Sequence, residues 1–152
     1  MEFMMIRLIA SIVLIFSNIG IASQGDYMKD NSPQKIIIQM LDSVKTKDLE
    51  TFVSLFKPGQ DVFGIFPAGN TASGYESFME SQQNWFNSPD GEFNYTIVRK
   101  YEEKKLALYG IEVDFKTPDN VNMNLYISIL LKNIGDSWHF VHFQNTMMND
   151  PE

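Results

Sequence analysis

An α+β fold is predicted for this chain, with a cone-shaped, curved antiparallel sheet wrapped over three N-terminal helices. Two changes along the chain carry that prediction. Apolar residues recur at helical spacing as far as Trp85 and Phe86, and after Gly91 the period switches to alternation and stays so to the end. Helices gathered ahead of a strand meander pack on one side of the sheet rather than between its strands. Length is the third observation, since 152 residues with 44% apolar and 20% charged side chains suit one compact domain with a buried core.

The first 22 residues stand apart from this pattern. Arg7 precedes an apolar run from Leu8 to Phe16, and Gly20 and Ala22 are the small residues of a cut before Ser23. The run of about 15 residues up to Ala22 is too short for the roughly 20 apolar residues of a bilayer span. Residues 1–22 are therefore expected to be a cleaved export signal, which makes the protein periplasmic or extracellular and confines any membrane contact to that signal. Residues 23–31 are polar and without period, which predicts a flexible leader. The folded domain is expected over residues 32–148.

Ser32-Pro33 opens the first helix, because serine can accept a bond from a first-turn amide and proline lacks the amide that would be orphaned there. Ile37, Met40, Leu41 and Val44 follow at helical spacing. Asp48 can cap a second helix whose stripe is Leu49, Phe52, Val53 and Phe56, and Lys57-Pro58-Gly59 stops it. Asp61 to Phe66 reads as a short strand ending in the turn cluster Pro67-Ala68-Gly69-Asn70. Gly74 precedes a third helix marked by Tyr75, Phe78, Met79, Gln82, Trp85 and Phe86. Four strands then fit the alternation: Phe93 to Tyr101, Lys105 to Thr117, Asn122 to Asn133 and Ser137 to Met147. The turns between them are short enough for antiparallel neighbours. Strands of this length favour a curled sheet over a flat one.

Composition excludes several function classes. With no cysteine there is no disulfide scaffold, thiolate metal site or cysteine nucleophile. A net charge of −7 argues against a nucleic-acid partner. On strict alternation His139 and His142 point to opposite faces and cannot share a metal, so neither metal nor cofactor is expected. Phosphate-binding glycine loops and nucleophile elbows are absent.

Three stretches carry a family resemblance: Phe52-Val53-Ser54-Leu55-Phe56, Gly74-Tyr75-Glu76-Ser77-Phe78, and the final Trp138-His139-Phe140-Val141-His142-Phe143-Gln144-Asn145-Thr146. In order and spacing the chain resembles the SnoaL-like branch of the nuclear-transport-factor-2-like superfamily, which includes ketosteroid isomerases and polyketide cyclases. Many relatives carry a second histidine where this chain has Gln144. The resemblance implies a cavity under the sheet, with the Trp138 face of the last strand looking into it, and dimerisation through the outer sheet.

On that reading Trp138, His142 and Gln144 sit near the cavity, where a ring nitrogen and a carboxamide could bind a ligand carbonyl or hydroxyl. His142 could also move a proton, or be a half-buried histidine with a local partner. Asp61 is the candidate base if it faces the cavity, and a solvated strand end otherwise. Tyr75 and Trp85 would be cavity walls, each with a polar handle, or core aromatics. Glu112 and Asp114 oppose Tyr109, Ile111, Val113 and Phe115 and are expected outside. Val98, Tyr126, Leu130, Val141 and Phe143 would form an apolar outer patch, which predicts a homodimer. The leading functional expectation is an exported domain that binds a small, largely apolar ligand. The alternatives are an isomerase, cyclase or hydrolase-type enzyme using Asp61 or His142, and a protein-interaction module working through the outer sheet.

Overall fold

The computed structural model describes residues 31–148, so the expected export signal and most of the expected leader lie outside the described residues. Helix α1 (Pro33–Thr46) begins where the sequence places it: the Ser32 hydroxyl accepts from the Lys35 amide at 3.3 Å. Its buried stripe is Ile37, Met40 and Leu41, and the buried Ser43 hydroxyl donates to the Met40 carbonyl. Lys47, in the left-handed region at φ 57°, ends α1, and Asp48 at once caps helix α2 (Leu49–Ser54) by accepting the Thr51 amide at 2.9 Å.

Strand β1 (Phe63–Ile65) and strand β2 (Thr71–Ser73) form a small hairpin around the Pro67–Asn70 turn. Gly74, at φ 82°, then turns the chain into helix α3 (Tyr75–Phe86) in a conformation that a side chain would strain. The meander follows as β3 (Glu92–Glu102), β4 (Leu106–Lys116), β5 (Asn122–Ile134) and β6 (Ser137–Met147). All six strands join one curved sheet in the order β2-β1-β6-β5-β4-β3.

The predicted α+β architecture is thus present, with two differences in the sheet. β1 pairs in parallel with β6, setting Phe63 beside His142 and Ile65 beside Gln144, so the sheet is mixed. Short turns fix direction only between strands that they join, and helix α3 and four strands separate β1 from β6 along the chain. β2 was not expected at all, because three residues inside a loop are too few to display a period.

The helices cover one face, and the core lies between them and the sheet. From the sheet come Tyr109, Ile111, Val113 and Phe115 of β4 and Leu125, Ile127, Ile129 and Leu131 of β5, all buried. Glu112 and Asp114 are exposed on the other face, as alternation predicts. Phe56 is the hub on the helical side, with ring centroids 5.0 Å from Phe52, 5.5 Å from Phe78 and 4.7 Å from Phe140.

Two β-bulges interrupt the ladders. Ile97 pairs with Ile111 and Arg99 with Gly110, so Val98 is the extra residue in β3. In β6, Phe140 pairs with Leu131 and His142 with Leu130, which leaves Val141 without a partner. An extra residue reverses the inward and outward sets beyond it. Phe140 and Phe143, three residues apart, are therefore both buried.

Two tyrosines tie β3 to its neighbours. The Tyr95 hydroxyl donates to Asp42 of α1 at 2.7 Å, and the buried Tyr109 hydroxyl donates to Glu102. Burial first, and then the bond to Asp42, push the Tyr95 hydroxyl up to about 12. Burial and Glu102 raise Tyr109 in the same way. An unfolded chain releases these protons from about pH 10, while the folded chain keeps them. The stability that these two hydroxyls contribute is accordingly present below pH 10 and falls as pH rises toward 12, and in Tyr95→Phe the fall is shallower; urea midpoints measured across that range check this.

Gly91 ends the break before β3. A methyl group there would lie 2.5 Å from the Lys116 carbonyl oxygen and 2.6 Å from the Phe115 ring. The backbone cannot swing aside as a side chain could. Gly91→Ala is expected to cost about 1–3 kcal/mol, measured by urea unfolding, and a neutral result would mean that the β3 entry is loose.

Candidate functional site

A cavity of about 200 Å³ lies between the helices and the sheet. Met40, Leu41 and Val44 of α1 wall it on one side, and Phe78, Ser81, Gln82 and Trp85 of α3 on another. The sheet supplies Leu125, Ile127 and Ile129 from β5 with Phe143 and Asn145 from β6, and Phe66 and Pro67 come from the β1–β2 turn. These positions follow from the folding pattern: α3 presents i, i+3, i+4 and i+7 to the sheet, and β5 presents alternate residues. Among the described residues, none of the lining side chains titrates in the physiological range.

The polar groups in the lining are few. Ser81 donates to the Ser77 carbonyl at 3.0 Å, which occupies its hydrogen. Trp85 Nε1 and Asn145 Oδ1 are buried and have no hydrogen-bond partner among the described residues. The Trp85 ring is firmly held. Its centroid is 4.9 Å from Phe115 in an edge-on contact, and Lys47 Nζ lies 4.1 Å over its face. The same ammonium donates to the Trp85 carbonyl at 2.6 Å and to the Ser88 hydroxyl at 3.0 Å. Burial holds Lys47 below the usual lysine range, against a raising effect from Asp90.

Of the six residues singled out in the sequence, Trp85 lines the cavity and the other five do not. Tyr75 and Trp138 are partly buried and pack against the core. Asp61 is exposed, ahead of β1, beside an outer groove that also holds Lys57, Lys105, Lys132, Leu130, His139 and Val141. His142 is on the outer face as well, its ring stacked at 5.8 Å on the exposed Phe63. Gln144 is exposed. The expectation that the Trp138 face of β6 looks into the cavity along its whole length is thus corrected. It holds for Phe140, and beyond the Val141 bulge the inward residues are Phe143 and Asn145.

The same bulge corrects two other placements. Phe143 is buried, so it does not belong to an outer apolar patch. His139 and His142 share the outer face instead of facing opposite ways. His139 Nε2 lies 3.3 Å from Lys57 Nζ, and burial together with that ammonium lowers its pKa. Among the described residues no group of three or more His, Cys, Asp or Glu could hold a metal ion, and no helix is long and apolar enough to cross a membrane. The residue that sequence reasoning missed is Asn145. The available cue was Phe140 and Phe143 three apart in a strand, since two large rings on opposite faces leave one of them in water.

Solved structures with this fold come from several bacteria. A protein proposed to be a calcium/calmodulin-dependent protein kinase type II association domain, from Thiobacillus denitrificans, superposes with a TM-score of 0.69 at 10% identity, over 78% of this chain and 96% of that one. A ketosteroid isomerase-like protein from Erwinia carotovora atroseptica gives 0.65 at 14% identity, over 77% of this chain and 94% of that one. A protein of the nuclear-transport-factor-2-like family from Streptomyces avermitilis, proposed to be a dehydratase, gives 0.66 at 14% identity with the same coverages of 77% and 94%. At such identities the likeness is one of fold. Among curated proteins none matches this sequence. The sequence pattern of the SnoaL-like domain matches residues 34–150, from the first turn of α1 to just past β6, and the chain belongs to that family.

Proposed function

We propose that the chain binds a small, largely apolar molecule in the cavity between its helices and its sheet. The observation that carries this reading is the cavity itself, about 200 Å³ and walled by apolar side chains from α1, α3, β5 and β6. Its size lies between the roughly 150 Å³ that holds benzene in an engineered protein core and the roughly 300 Å³ where sites for drug-sized ligands begin. Proton-transfer catalysis finds less support, because Asp61 and His142 lie outside the cavity and its lining offers no acid or base. The test is to recover the mature protein from its native source, unfold it and analyse the released small molecules by mass spectrometry. A stoichiometric, mostly apolar compound supports the reading. An empty protein that also fails to bind toluene in calorimetry refutes it.

Two further expectations belong to the same proposal. Export with cleavage before Ser23 rests on the Leu8–Phe16 run and on Gly20 and Ala22, and the N-terminus of the native-source protein decides it. A homodimer through the outer sheet rests on Tyr101, Leu106 and Leu108, exposed at 58%, 45% and 45%, with Tyr126, Leu130 and Val141 nearby. Light scattering at micromolar concentration should give twice the chain mass, and Leu108→Glu should halve it; a monomer in both samples removes the dimer.

A further inference from the structure

We propose that the ligand is a neutral molecule that offers one hydrogen-bond acceptor to Trp85 Nε1 and one donor to Asn145 Oδ1 from a small apolar body, as a one-ring alcohol or phenol does. This rests on the cavity being the binding site. Both atoms belong to residues of the cavity lining, both are buried, and neither has a partner among the described residues. Folded proteins pair nearly all such atoms, because an unpaired buried donor or acceptor has given up its water for nothing.

The chemistry of the two atoms defines the ligand. An indole nitrogen can only donate, and a carboxamide oxygen can only accept. A hydroxyl carries both complements, a lone pair for the indole hydrogen and a hydrogen for the Asn145 oxygen. Lys47 and Phe115 hold the indole from outside the cavity, so its N–H is oriented before any ligand arrives. That preorganisation favours a ligand whose acceptor matches it. Charge is excluded by the same lining, since a carboxylate or an ammonium would enter an apolar space with no counter-charge to meet it.

The test is calorimetric titration of the mature chain with toluene, phenol, acetophenone and benzoate, which share one ring and differ in polar groups. Phenol should bind roughly 10-fold or more tightly than toluene, reflecting two added hydrogen bonds. Acetophenone, which accepts but cannot donate, should fall between them, and benzoate should be the weakest. Trp85→Phe and Asn145→Leu should each reduce the preference for phenol while still binding toluene, which also reports that they have folded. In the unaltered protein, the Trp85 indole resonance should shift with phenol and much less with toluene. Equal affinities for toluene and phenol would overturn the paired-atom inference and leave the cavity reading standing. Tighter binding of benzoate would overturn neutrality, and no binding by any probe would overturn the cavity reading itself.

Discussion

Replacing Phe143 with alanine lowers the free energy of unfolding by about 3–5 kcal/mol, whereas replacing its neighbour His142 with alanine changes it by less than about 1 kcal/mol. Plain alternation from Trp138 ranks the two the other way round. The bulge at Val141 decides the order, because it turns Phe143 inward onto Phe78 at 4.9 Å and Phe140 at 5.2 Å. Losing that ring removes apolar area from the core and leaves a void that closely packed neighbours fill only in part. The His142 ring lies against Phe63 on the outer face, where water can replace most of what it gives up. Urea unfolding of the two variants measures the difference. A costlier His142→Ala would mean that the strand runs without the bulge.

The second large effect is expected at Phe56. Its ring follows α2 and touches rings from the helices and from β6, so Phe56→Ala should cost about 3–5 kcal/mol and loosen the helical hairpin from the sheet. A double-mutant cycle with Phe140, stacked on it at 4.7 Å with 23° between ring planes, should give a coupling of about 0.5–1.5 kcal/mol. Additive losses from the two single variants would show that the stack is contact without coupling. Exchange of α2 amides should quicken more than exchange of β4 amides, since the hairpin is the part that loses its anchor.

Local signals made most of the fold legible. Ser32 and Asp48 cap as their chemistry suggests, and the apolar stripes of α1 and α3 appear in the buried set because one helix turn repeats within a few residues. The strand meander could be read for the same reason, with boundaries off by a residue or two. What stayed hidden was non-local or too brief to have a period. Thr71–Ser73 is a strand only because β1 lies beside it, and the parallel pairing of β1 with β6 joins segments far apart in the chain.

The candidate site was less legible than the fold, and one residue accounts for much of the difference. Val141 looks like any member of an alternating run, so nothing in its own identity marks it as the extra residue. Its effect falls on everything after it, exchanging His142 and Gln144 for Phe143 and Asn145. Asp61 takes the solvated one of its two readings: the strand begins two residues later than the sequence suggests, and ahead of it Asp61 is exposed. Trp85 could be found because a helical stripe places it without any long-range information.

Among the described residues no ionisable side chain walls the cavity, which leaves it electrically silent. A pocket built on carboxylates or imidazoles would change its grip with every shift in the acidity or salt of the medium. Here nothing in the wall gains or loses a proton, and no buried charge is there for salt to screen. Retention would be governed by how well a guest fits and by how readily the walls part, and the weather outside would matter little.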